Sequence, residues 1–146
     1  MQCYSDLKPP RIFITSWALD SYLELVPREV SAEEYWSTLR PDILRLTNRT
    51  TDPEFNNSLF WGPAQSGQHK DVPCAFKMKW HNMGHSKIQL RLGIIEHKGD
   101  YFLCHAWSKT SSHLDYRKGA QLAKRRKLII ENPCDHIKGA LHGPST

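Results

Sequence analysis

The chain has 146 residues, of which 39% are hydrophobic and 24% charged, with five tryptophans and a formal net charge of +5. That length suits one domain of residues 1–146 around a single core, and this apolar content excludes wholesale disorder. No run approaches the roughly 20 apolar residues of a membrane helix, and the opening segment lacks the apolar stretch of a signal peptide. A cytoplasmic location away from membranes is therefore expected.

Pro9 and Pro10 close a polar leader, residues 1–10. Arg11 to Thr15 then reads as a first strand, dense in β-branched and aromatic residues. Ser16 is placed to cap a helix from Trp17 to Leu25, ended by Pro27. Ser31 starts a second helical segment with Glu33 and Glu34 in its first turn, where the helix dipole favours negative charge. Its apolar positions, Tyr35, Leu39, Ile43, Leu44 and Leu46, recur at helical spacing across a kink at Pro41. From Thr47 to Asp71 the composition turns polar and rich in breakers, which predicts a long loop, residues 47–71.

Three strands follow, Ala75 to His81, Lys87 to Ile95 and Tyr101 to Trp107, joined by turns containing Gly84 and Gly99. They predict an antiparallel meander. A closing helix spans Tyr116 to Glu131 and stops at Asn132-Pro133, leaving residues 132–146 as a tail. The expected fold is α+β, with the N-terminal strand and helices on one face of a twisted antiparallel sheet and the other face open.

Cys3, Cys74, Cys104 and Cys134 lie thirty or more residues apart with no CxxC pair, so four reduced thiols and no metal site are expected. Charge is distributed unevenly. Up to Asp71 there are seven Lys/Arg and ten Asp/Glu, whereas from Val72 to Lys127 there are twelve against three, a local charge of +9. Such a concentration suits a polyanion, whose counterions are released when its phosphates are neutralised.

In Phe76-Lys77-Met78-Lys79-Trp80-His81 alternation sends Lys77, Lys79 and His81 to one face. That row can hold a phosphodiester and stabilise the charge of its transition state. It also fits a strand edge guarded by lysines. Arg91 projects from a strand otherwise made for burial, with no acid in that strand to pair with it. By alternation His105 lies on the side of Tyr101, Leu103 and Trp107, and is either a proton-transfer group or a satisfied core histidine. Lys124, Arg125, Arg126 and Lys127 wrap the closing helix as an electrostatic handle, or as a solvated surface.

These motifs resemble the RelE/ParE superfamily of bacterial toxins, especially its phage-associated HigB-like branch, over about Ala75 to Ile130. Phe76 to Trp80 looks like the aromatic-Lys-apolar-Lys-apolar strand of RelE, and Leu90-Arg91-Leu92 like the strand that follows. Tyr101 to Thr110 is similar to the HigB-like pattern of apolar strand, His, small residue, aromatic and basic pair, although Ser108-Lys109 stands where two basic residues are usual. Ala120 to Arg126 is similar to that branch's Ala-Lys-Arg helix. The N-terminal half is longer than the family's.

The resemblance implies a RelE-like domain that cuts mRNA, typically on the ribosome, by setting the ribose 2′-hydroxyl against the adjacent phosphate. No cofactor or metal is then needed. Lys77 and Lys79 would orient the phosphate and help activate the nucleophile, Arg91 would neutralise the transition state, and Lys109 would assist. His105 or Tyr116 would exchange protons, with His81 a candidate general base. Arg117, Lys118, Lys124, Arg125, Arg126 and Lys127 would bind RNA, and a cognate antitoxin protein would be the partner. Two other functions are open: a ParE-like inhibitor of DNA gyrase, which shares the superfamily's fold but has no need of the Lys/Arg/His groups, and a nucleic-acid-binding module without catalysis, for which charge and exposed aromatics suffice.

Overall fold

The computed structural model describes residues 3–4, 6–26 and 29–142. The fold is α+β, as expected: one six-stranded, mostly antiparallel sheet with helices packed against it. The strands are β1 (Ile12–Thr15), β2 (Trp61–Gly67), β3 (Lys70–Met83), β4 (Ile88–His97), β5 (Asp100–Ser108) and β6 (Ile137–Leu141), in the order β2-β3-β4-β5-β1-β6. β1 runs parallel to β5, and all other neighbours are antiparallel.

The apolar run of β1 places Ile12 and Phe13 in the core, and Thr15 ends it by bonding in two directions. Its hydroxyl donates to the Leu103 carbonyl at 2.7 Å and accepts from the Ala18 amide at 3.2 Å, capping α1 (Ser16–Leu25). The cap therefore falls on Thr15 rather than Ser16, because only Thr15 also reaches β5. The expected stop at Pro27 lies outside the described residues. Ser31 and Glu34 form a reciprocal capping box at the head of α2 (Ala32–Glu34).

A π-helical turn, Tyr35–Leu39, leads into α3 (Arg40–Leu44) and a 3₁₀ turn, Arg45–Asn48. Pro41 is the local cause of this irregularity, since it supplies no amide to the carbonyl one turn back and its ring crowds that position.

Two expectations of loop and tail are corrected. Residues 47–71 hold a 3₁₀ turn at Pro53–Asn56, the whole of β2, and the start of β3. β2 buries only Trp61 and Ala64, and Pro63 is tolerated because β2 is an edge strand. Residues 132–146 hold a 3₁₀ turn at Pro133–His136 and then β6, which pairs with β1 at the opposite edge. The leader is fastened to that tail by a disulfide between Cys3 and Cys134, 131 residues apart in sequence, so two of the four expected thiols are paired. Cys74 and Cys104 are free.

The sheet has no open face. Ile12, Leu90, Leu92, Ile94 and Leu103 face α1 and the helical segment 32–48, while Phe13, Ile95, Phe102 and Cys104 face α4 (Ser112–Glu131). α4 begins four residues earlier than expected, because Ser111 caps it through the Leu114 amide. It buries Asp115, Gly119, Leu122 and Ile129, one stripe at helical spacing.

Two glycines set how close α4 comes. A Cβ on Gly93 would lie 2.9 Å from Leu122, and one on Gly119 would lie 1.9 Å from the Gln65 carbonyl oxygen of β2. The second contact is with backbone and has no side chain to yield, so Gly119→Ala must lift the helix from the sheet. We expect it to cost about 2 to 4 kcal/mol, in the range of large core disruptions, read from urea denaturation. A loss under about 0.5 kcal/mol would show that the helix is free to move.

Candidate functional site

The alternation in β3 is observed: Phe76, Met78 and Trp80 pack toward α1 and the segment 32–48, and Lys77 and Lys79 face α4. In register with them, Lys79 stands opposite Arg91 of β4, and Arg91 stands opposite Trp107 of β5. Gly62 of β2 lies across from Lys77, and a Cβ there would stand only 3.3 Å from the Lys79 ammonium. Four adjacent strands thus contribute to one patch, and the first turns of α4 lie over it.

At the centre of the patch is Asp115, 5% exposed. One carboxylate oxygen accepts from the Trp107 indole N–H at 2.9 Å. The other meets the Lys77 ammonium at 3.2 Å and the Lys109 ammonium at 3.8 Å. Nothing in the local sequence marks Asp115, which precedes the helix start expected at Tyr116; in α4 it falls in the first turn, where the dipole alone would account for an acid.

Arg91 is the unusual member. It is 5% exposed and donates from Nη1 to the Leu90 carbonyl at 3.1 Å and, weakly, to that of Trp80 at 3.5 Å. Its Nε is buried with no partner, and no carboxylate among the described residues bonds to it. Burial lowers its affinity for the proton, and Asp115 opposes that only through space. Lys79 donates to the Ser58 carbonyl at 2.9 Å. Its pKa is lowered first by burial and then by Lys77, Arg91 and Lys109. Lys77, Lys79, Arg91 and Lys109 therefore surround one carboxylate, leaving three positive charges unmatched within the patch.

His81 lies at the solvent end of the same β3 face with both ring nitrogens engaged. Nε2 lies 2.7 Å from the Leu59 carbonyl oxygen and Nδ1 lies 2.8 Å from the Gln89 side-chain carbonyl oxygen, so both ring nitrogens face acceptors. A general base needs a free lone pair on one nitrogen, so His81 must break one of these two contacts to act as one. Tyr116 is half-buried, next along α4 from Asp115.

His105 is removed from the candidate acid–base groups. The register between β4 and β5 shifts at Cys104, so His105 pairs with Gly93, and His105 and Trp107 turn toward α4 while Leu103 stays on the opposite side. Alternation counted through this bulge misplaces it. His105 is 3% exposed, and its Nδ1 contacts the Arg125 guanidinium. Burial, then Arg125 and Lys118, pull its pKa down to about 3, so it stays neutral at physiological pH.

The basic run on α4 divides. Arg117, Lys124 and Lys127 are exposed, and Lys118 and Arg126 are half-buried. Arg125 points inward, donating to the Cys104 carbonyl at 3.3 Å and lying over the Trp17 ring at 5.0 Å. It is thus a structural cation beneath the helix, not part of an RNA-facing row.

No family model, no curated protein and no solved structure matches this chain. No helix among the described residues is long and apolar enough to cross a membrane.

Proposed function

We propose that the chain is a metal-independent RNA endonuclease, the toxin of a toxin–antitoxin pair, acting on mRNA at the ribosome in the bacterial cytoplasm. The observation that carries this reading is the buried Arg91, desolvated beside Lys79 with no carboxylate bound to it. A cation kept at that cost is compensated by an anionic ligand, and a phosphodiester provides one. The three unmatched charges suit a transition state that gains negative charge.

In the proposed step the ribose 2′-oxygen forms a bond to the adjacent phosphorus and gives its proton to Lys79, whose lowered pKa makes the neutral amine more available. The bond from phosphorus to the 5′-oxygen breaks, and that oxygen takes a proton from Lys109 or Tyr116. The products are a 2′,3′-cyclic phosphate and a 5′-hydroxyl. Arg91 and Lys77 hold the phosphate, and the exposed Arg117, Lys124 and Lys127 extend the contact along the RNA. A cognate antitoxin would cover this basic surface.

The test is induction in a bacterial host, with growth and mRNA integrity followed together, and purified protein incubated with mRNA with and without ribosomes. Cleavage leaving cyclic-phosphate ends is expected, blocked by a 2′-deoxy substitution at the cut and reduced about 10²–10³-fold by Lys79→Met. Growth arrest with intact mRNA would favour gyrase as the target. Salt-sensitive binding without cleavage would favour a binding module.

A further inference from the structure

The sheet face opposite Lys79 and Arg91 carries a cavity of about 280 Å³. Leu90, Leu92 and Leu103 form its floor, and Ala18, Tyr22 and Leu39 stand in its walls. Leu19, 43% exposed, lies at its mouth. Every side chain that lines it is apolar or aromatic.

The space has a structural origin. The register shift at Cys104 turns Ala106, a small residue, toward α1 where that helix crosses β5. Ser21 pins the crossing, accepting from the Ala106 amide at 2.9 Å and donating to the Ala18 carbonyl at 3.0 Å. With α1 held at that distance and alanine on both sides, the walls cannot collapse into the void. The space opens to solvent beside Leu19, so it is a cleft that a ligand can enter.

Two polar groups stand at the wall. The Tyr22 and Tyr35 rings lie 5.4 Å apart, both half-buried, and neither phenol is bonded to a partner among the described residues. A cavity of about 150 Å³ holds benzene, so this one has room for about eleven non-hydrogen atoms. No lining side chain carries a charge, and Arg40 and Glu34 act on the two phenols from outside the lining, so a charged ligand would be desolvated against uncharged walls.

We infer that this cavity binds a neutral, mainly apolar small molecule of about that size, with one hydroxyl or carbonyl group set between the Tyr22 and Tyr35 phenols. The site is separate from the proposed RNA chemistry, which lies across the sheet. Such pockets, apolar with one or two placed polar groups, are the usual form of small-ligand sites.

The test uses the full chain with 2-naphthol and 1-decanol, both of about the right size, and 2-naphthoate as the charged control. Calorimetry should show both neutral probes binding, at least about tenfold more tightly than 2-naphthoate. At a hundredfold excess over Kd each should raise Tm by roughly 5 °C or more. Tyr35→Phe should weaken 2-naphthol and leave naphthalene unchanged. Ala106→Leu should raise Tm without ligand and abolish binding, and if that variant fails to fold, Leu92→Phe fills the same space from the floor. The proposal is overturned if neither neutral probe binds, if 2-naphthoate binds equally well, or if binding survives in the filled variant. RNA cleavage should be unchanged in Tyr35→Phe, which separates failure here from failure of the ribonuclease reading.

Discussion

Asp115→Ala should cost about 3 to 5 kcal/mol of folding stability, the range for removing one partner from a buried ion pair, measured by equilibrium denaturation. Three donors converge on that carboxylate, from Lys77, Lys109 and the Trp107 indole. Two of them are largely withdrawn from solvent, so a neutral water is a poor substitute for the carboxylate: Trp107 is 4% exposed and the Lys77 side chain 14%. Removal also leaves Lys77, Lys79, Arg91 and Lys109 repelling one another with no negative charge among them. Asp115→Asn should recover part of the loss, since its oxygen can still accept from Trp107. The same reasoning predicts that inorganic phosphate restores Tm to Asp115→Ala more than to the wild type, because the anion would enter the space left by the carboxylate. A loss under about 1 kcal/mol would mean that the cations are solvated and the patch is an ordinary surface.

Several parts of this architecture were legible from residue pattern, and the rest was not for identifiable reasons. Strict alternation from Phe76 to Trp80 tells which side chains enter the core, and Gly99 marks the turn between β4 and β5, where Lys98 and Gly99 both have positive φ. The edge strands were unreadable. β2 carries Gly62, Pro63 and Gly67, and β6 is five residues with one glycine, so neither has the β-branched density by which strands are recognised. Both hold because they add to a strand already in place. His105 was misassigned for a different reason: one extra residue at Cys104 inverts every side chain after it, and no local composition announces the shift. The Cys3–Cys134 pair and the Lys77–Asp115 contact are tertiary, joining residues far apart in the chain, and spacing carries no trace of them. The second helical layer is legible in principle, since the stripe of α4, Asp115, Gly119, Leu122 and Ile129, recurs at helical spacing and needs a surface to pack on.

Arg91→Met should separate function from folding more sharply than any other single change. Arg91 is 5% exposed, its Nε has no partner, and burial disfavours its charge. Methionine of similar reach removes that desolvation and the repulsion on Lys79, at the loss of one good hydrogen bond, to the Leu90 carbonyl. Stability should therefore be unchanged or rise by about 1 to 3 kcal/mol, as when buried charges are exchanged for packed apolar groups. RNA cleavage should fall about 10²–10³-fold, the usual cost of one transition-state charge contact. The pairing of outcomes is what decides. If Arg91 were structural, denaturation would show a loss above about 2 kcal/mol and cleavage would fall only with the folded fraction. If it holds the phosphate, the variant is folded, at least as stable, and nearly inactive, because a cation that opposes folding is retained for the charge it meets in the ligand.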